Sequence, residues 1–353
     1  MTRALLAMVV YGLMASISAT TAAESFKDRL DLPAVSTPRS VMSNLTGIAR
    51  AGNTYIAVGE RGHILLSADK GKSWTQSPVP LSSPLTAVNF PTPQKGWAVG
   101  HDGVILHSED GGKHWVRQLD GRKVGEIMVD FYEKQPQNGD PKLVQALNEA
   151  HRFKQEGANK PVLDVYFENE QSGWVIGSFN LILKTADGGK TWAPWLDRTE
   201  NPEGYSLHAM ASVDGEVFIV GELGLILRLD RQQNRFVAVN STYKGSFFGV
   251  TGKPGVVLIY GLRGNLFRSR DKGKSWQPLK QGTEAALVGG GYLDDGRLVL
   301  VSNAGHVLVS NDDGDSFVQA PIAKTGMLGA VAPLDGDAVL VVGIRGVRTQ
   351  RLK

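Results

Sequence analysis

Four stretches of the chain end in tryptophan and carry an aspartate five residues before it: "SADKGKSW" (Asp69, Trp74), "SEDGGKHW" (Asp110, Trp115), "TADGGKTW" (Asp187, Trp192) and "SRDKGKSW" (Asp271, Trp276). A fifth, "SNDDGDSF", holds Asp312 with Phe317 in the aromatic place, and "LDRQQNRF" keeps only Phe236. A repeated carboxylate could serve as a general acid or a metal ligand. Glycoside hydrolysis, for example, sets two carboxylates roughly 5–10 Å apart. The same residue types also build turns. An aspartate can accept backbone N–H groups two residues on, a glycine reaches positive φ, and a tryptophan buries its ring between sheets.

Spacing decides between the two. The pattern apolar-apolar-Gly-x-x-Gly-x-apolar-apolar recurs from Ala57, Ala98, Val175, Ile219, Ile259, Leu300 and Val341, at intervals of 41, 77, 44, 40, 41 and 41 residues. The one long interval is a normal period plus 36 residues. Each period reads as four short strands joined by turn-rich links, as in "LTAVNF", "GWAVG", "VILHS" and "WVRQL". Seven such units predict an all-β fold, a seven-bladed β-propeller over 24–353. The last unit lacks a fourth strand, so an N-terminal outer strand around Phe26 to Leu32 is expected to close the ring on blade 7. In this frame the aspartates lie on separate blades and cannot converge on one substrate. They are expected to be structural, with no catalytic residue, metal or cofactor.

The remaining chemistry-bearing residues agree. His101, His107 and His114 fall on the top turn, third strand and bottom turn of one blade, too far apart to share a metal. There is no cysteine, which excludes disulfides, thiolate sites and lipid attached at a cysteine. A sialidase-like or glycan-binding propeller is the alternative reading. Its hallmark Arg-Ile-Pro is absent.

Residues 1–23 read as a signal peptide. Arg3 supplies the positive start, Ala4 to Ile17 the apolar stretch, and Ala22-Ala23 the small residues before a cleavage point. A retained anchor is the other reading. A periplasmic location follows from cleavage. Without Arg3 the formal charge falls from +3 to +2, and no basic stripe suggests nucleic acid. A monomer is expected.

The box resembles the Asp-box of neuraminidase-type repeats. The fuller pattern "AVGxxGxILxSxDGGxxW" resembles the photosystem II stability and assembly factor family, over almost all of 24–353. The resemblance implies a non-enzymatic propeller that helps assemble a membrane protein complex. Its non-photosynthetic bacterial relatives occur beside exporters of the resistance-nodulation-division type, which implies an exporter subunit as client. Peripheral association with the membrane fits the same picture.

Strand direction puts the Asp-boxes at the bottom face, and the Gly-x-x-Gly turns and blade links at the top. The top turns vary: Glu60-Arg61, His101-Asp102, Phe179-Asn180, Glu222-Leu223, Leu262-Arg263, Asn303-Ala304 and Ile344-Arg345. Varied side chains on a constant backbone are what a binding rim presents. Arg61, Arg263 and Arg345, with Glu60, His101, Asp102 and Glu222, form the expected partner-binding rim. Lys184, Arg228 and Arg268 form a second basic column on the third strands. Between blades 2 and 3, residues 122–160 lose the strand pattern. Asp140-Pro141 caps a helix that Gly157 ends, with Leu143, Val144, Leu147 and Ala150 as its apolar stripe, and Val124, Ile127, Met128 and Phe131 are spaced helically upstream. A hairpin packed flat on the propeller and a free docking arm are both open.

Overall fold

The computed structural model describes residues 27–136, 138–321 and 326–353. The expected signal peptide lies outside them. Among the described residues no helix is long and apolar enough to cross a membrane.

Seven antiparallel sheets follow in chain order, each with its strands in sequence order. Blade 1 is Leu45–Ala51, Thr54–Gly59, Ile64–Ser67 and Thr75–Gln76; blade 2 begins at Leu85–Asn89, blade 3 at Val162–Phe167, blade 4 at Leu207–Val213, blade 5 at Phe247–Lys253, blade 6 at Leu287–Tyr292 and blade 7 at Leu328–Pro333. Second strands such as Gly96–Gly100 and Gly173–Gly177 are buried at every position. They are covered on both faces, which explains their continuous apolar runs. The core is a ring of packed layers between blades rather than one central cluster.

Every first strand has a register shift near its start, as at Leu45/Gly47, Leu85/Ala87 and Phe247/Gly249. The extra residue re-aims a side chain. At three of these positions it reaches the next blade: Thr46 Oγ1 donates to the Leu85 carbonyl (2.6 Å), Thr86 Oγ1 to that of Val162 (2.7 Å), and His208 Nδ1 lies 2.7 Å from that of Phe247. Asp164, one residue past the equivalent point, accepts the Met210 N–H at 2.7 Å and its neighbour Val165 N–H at 2.8 Å. Polar side chains therefore stitch blades 1 to 5 together along the inner strands.

The closure of the ring differs from the expectation. Blade 7 has three strands, Leu328–Pro333, Ala338–Gly343 and Gly346–Arg351, with no fourth among the described residues. Phe26 lies outside those residues. The described part of the expected strand is a turn instead, because the Asp28 carboxylate accepts the Leu30 N–H and its carbonyl that of Asp31. Leu30 is buried with Val79, Leu81 and Trp115, between blades 1 and 2. Arg29 pairs with Asp102, and Asp31 with Arg122 at 2.9 Å. The ring is closed by direct packing of blade 7 on blade 1: Tyr55 Oη donates to the Pro333 carbonyl (2.8 Å), Lys70 pairs with Asp335 (2.6 Å), and Leu45 packs in one cluster with Val342.

The insertion between blades 2 and 3 is two helices, α1 (Gly121–Glu133), capped by Asp120, and α2 (Pro141–Glu156), capped by Asp140 and ended at Gly157. They form a hairpin packed on the propeller. Gly125 lets α1 approach the Lys154 backbone, where a Cβ would come within 2.4 Å. Val124, Met128 and Tyr132 are buried from α1, and Ala146, Ala150 and Phe153 from α2. Val144, expected in the apolar stripe, points outward at 44% exposure. Tyr132 Oη fixes the hairpin to blade 3 by donating to Asp197 (2.9 Å) and accepting the Leu196 N–H (3.0 Å).

Candidate functional site: the top rim and the helical insertion

The Asp-box is a closed hydrogen-bonded unit. In each intact copy the leading hydroxyl donates to the aspartate and accepts the glycine N–H. For Ser108 these bonds are 3.0 Å to Asp110 and 2.9 Å from Gly112. The aspartate accepts an N–H four residues on, not two as the turn residues alone suggest: His114 at 3.0 Å, Thr191 at 2.9 Å, Ser275 at 2.9 Å. A Ser or Thr hydroxyl at that place in three copies adds a bond of 2.6 Å, to Asp69, Asp187 and Asp271, and Ser316 adds one of 2.5 Å to Asp312. The Ser73, Ser275 and Ser316 hydroxyls hold Asp69, Asp271 and Asp312 down at about 2, and Asp110 reaches about 2 against burial through its bonds to His114. These carboxylates are ionised and saturated with donors, so none is available as an acid. Trp115 and Trp192 are buried, Trp74 and Trp276 half-buried.

The histidines stand apart, as expected. His107 stacks on Trp97 (4.6 Å between centroids), and burial lowers its pKa. His114 bonds Asp110, and His101 is exposed on the top turn. Among the described residues no three metal-ligating side chains converge.

The top turns are tight helical turns whose second x residue is left-handed: Arg61 (φ 57), Asp102 (φ 59), Leu223 (φ 50) and Arg263 (φ 55). Blade 3 is shifted by one residue relative to the sequence reading. Phe179 takes that place (φ 56), and Asn180 replaces the glycine (φ 58), held by a 3.0 Å bond from Asn201. Asparagine tolerates this region, whereas the side chains of Phe and Leu are strained there.

The expected binding rim divides in two. Arg61, Arg263, Arg345 and His101 are exposed. The acidic members turn inward. Glu60 accepts the Asn44 N–H (3.4 Å), Glu222 that of Ser206 (2.8 Å), and Asp102 is buried, accepting Ser83 Oγ (2.6 Å) and paired with Arg29. The carboxylates brace the blade links, and the arginines remain on the surface. The second basic column is committed to internal contacts: Lys184 sits 4.3 Å over the Trp195 ring, Arg228 donates to the Lys272 carbonyl, and buried Arg268 holds Asp315 (2.7 Å) and the Asp313 carbonyl (3.0 Å).

Sequence reasoning missed two features. One is a cleft of about 340 Å³ between α2 and the link from blade 3 to blade 4, with Phe179 and Ala146 in its lining. Its charged groups are largely engaged, Glu149 with Arg152 (2.5 Å), Asp197 with Tyr132, and Glu200 with the Ala238 N–H. The other is Asp164, whose burial pushes its pKa up to about 7 although two backbone N–H groups oppose the rise. A lone aspartate in an apolar strand, "VLDVYF", is the signal that could have pointed to it.

Comparison with known proteins agrees with this architecture. The family model described as photosynthesis system II assembly factor YCF48 matches residues 48–152 and 143–321. The photosystem II stability/assembly factor HCF136 of Arabidopsis thaliana is 24% identical over 182 residues, 44% of each chain. The photosystem II assembly lipoprotein Ycf48 of Picosynechococcus is 24% identical over 153 residues, 43% of this chain and 45% of that one. The matched segment thus spans less than half the length of these curated relatives. Among solved structures, YCF48 bound to a D1 peptide superposes with a TM-score of 0.63 at 17% identity, covering 90% of this chain and 96% of that one. YCF48 from Cyanidioschyzon merolae gives 0.63 at 16%, over 90% and 97%. The WD40 propeller of Doa1 also gives 0.63, at 10%, over 91% and 96%, so these likenesses speak for the fold. The family model covers most of the repeats, and on that basis the chain belongs to the photosynthesis system II assembly factor YCF48 family.

Proposed function

We propose that the protein is a non-enzymatic assembly or accessory factor for a membrane protein complex, acting in the periplasm through its top face. The observation that carries this reading is the family match along the repeats. The D1 peptide on a YCF48 of the same fold supports a membrane-protein subunit as the kind of partner. A relative named as a lipoprotein supports an extracytoplasmic setting; this chain has no cysteine to carry such a lipid, and its N-terminal stretch reads as a signal peptide. An exporter subunit of the resistance-nodulation-division type is the client we favour.

The exposed arginines Arg61, Arg263 and Arg345 are the proposed contacts, since a guanidinium can hold a partner carboxylate by two parallel bonds. His101 adds a polar contact. Glu60, Asp102 and Glu222 keep the turns in place. The Asp-boxes face the other way, and their saturated carboxylates support a role without chemistry. Reversing the three arginines to Glu and measuring recovery of the envelope complex tests the rim. The reading expects recovery to collapse, and undiminished recovery would reject these residues.

A further inference from the structure

The hairpin tips of the top face occupy one register of the repeat and so lie near one plane. From blade 4 round to blade 1, that plane carries exposed apolar side chains: Leu223 (53%), Leu262 (40%), Met327 (56%), Ile344 (52%) and Met42 (71%). Leu223 is at φ 50, where a branched side chain is strained and where Gly or Asn would rest without strain. An exposed leucine in that conformation gains nothing from the core. Retained strain at one tip and apolar side chains exposed at several points of one face both mark a working surface.

The charge on the same arc is one-sided. Arg39, Arg61, Lys244, Arg263, Lys280 and Arg345 are exposed there. Glu60 and Glu222 are turned onto backbone N–H groups, which leaves Glu284, and Asp28 and Asp31 where residues 28–31 cross the blade 1 link, as the exposed carboxylates of this arc among the described residues. The opposite sector, formed by the hairpin and the blade 3 to blade 4 link, mixes both signs: exposed Glu126, Asp130, Glu133 and Glu203 stand among exposed Arg122, Lys123, Lys134, Lys142, Lys154 and Arg198. The face is therefore uneven, with basic and apolar tips gathered on one side and charges of both signs on the other.

We propose that the basic, apolar arc docks on an anionic lipid surface. The tips enter the headgroup layer, and the arginines and lysines pair with lipid phosphates. The tips are separate points on a rigid ring rather than the walls of a groove. That arrangement suits a flat, fluid surface better than a helix or strand of a partner protein. Apolar insertion combined with attraction to anionic lipid is how interfacial binding is built. Docking goes beyond the client reading and does not need a client.

Purified protein is mixed with phosphatidylcholine vesicles, with and without phosphatidylglycerol, and sedimented. Binding is expected with phosphatidylglycerol and to fall at least tenfold between roughly 0.05 and 0.5 M salt. The triple variant Leu223→Asn, Leu262→Asn, Ile344→Asn keeps every arginine and is expected to lose at least tenfold in affinity. In the cysteine-free chain, an environment-sensitive dye on Ile344→Cys is expected to shift to the blue on vesicles, while one on Lys113→Cys at the bottom face stays unchanged. This second measurement needs no loss-of-fold control. Failure to bind phosphatidylglycerol vesicles, or an equal response of both dyes, would overturn the proposal. Capture of an acidic protein by the arc without vesicle binding would overturn it too, and would leave the client reading standing.

Discussion

Replacing Asp164 with Asn should remove a pH-dependent weakness from the ring. Asp164 sits on the inner strand of blade 3 and accepts the Met210 N–H of blade 4. Burial raises its pKa from 3.8 to about 7. The folded state therefore favours the protonated acid. Its stability contribution is intact below about pH 4, declines as pH rises, and is lost once pH passes 7. A rise of about three units corresponds to about 4 kcal/mol, and the partial contact of Asp164 with solvent argues for about 2–4 kcal/mol. Asn is nearly the same size and carries no charge. Urea unfolding of both proteins at pH 4.5, 6 and 8 reads the effect. Burial lowers the pKa of His63 and His107 from 6.5, which adds stability as pH rises toward 6.5 and no more above it, in both proteins, and so cancels in the difference. The variant is expected to gain about 1.5–3 kcal/mol on the wild type between the ends of this series, since part of the loss already lies below pH 4.5. Parallel stability curves would refute the argument.

Other substitutions probe separate joints of the structure. Ser108→Ala leaves the buried Gly112 N–H without its acceptor and should cost about 1–3 kcal/mol in a denaturant titration. Tyr132→Phe removes the hydroxyl shared by Asp197 and Leu196; hydrogen exchange should rise across 121–156 while the blades stay protected. Leu223→Asn relieves a left-handed leucine and should raise stability by about 1 kcal/mol in thermal melts. Arg29→Ala strips the charged partner from buried Asp102, leaving it only Ser83 Oγ, and limited proteolysis should then cut the segment before Leu45 faster.

The repeat was the legible part of the sequence. Strand order, blade count, box location and the ends of α2 all follow from residues with a fixed local job, such as Asp140 as cap and Gly157 as stop. Closure was not legible. A missing outer strand on blade 7 suggested an N-terminal substitute, but the bonds that place residues 28–31 come from Asp102 and Arg122, distant in sequence. The acidic rim residues misled for a similar reason. Glu60, Asp102 and Glu222 look like exposed partners to a pattern reader, yet each meets a link N–H or a hydroxyl that only the folded top face brings near. The apolar tips were hidden in the same turns: Leu223 and Ile344 each stand beside a charged residue there, and their exposure shows only in the folded top face. Asp164 could not be valued from sequence, since its burial depends on the ring being closed around it.

If the top face holds the protein to an envelope membrane complex, a residue on that face must lie against a subunit of it. Cross-linking in the native envelope, with a photoreactive group at Arg263 and a matched one at Lys113 on the bottom face, tests it most directly. The Arg263 position is expected to capture a subunit of a membrane complex, and the Lys113 position is not. Capture from Lys113 alone would contradict it.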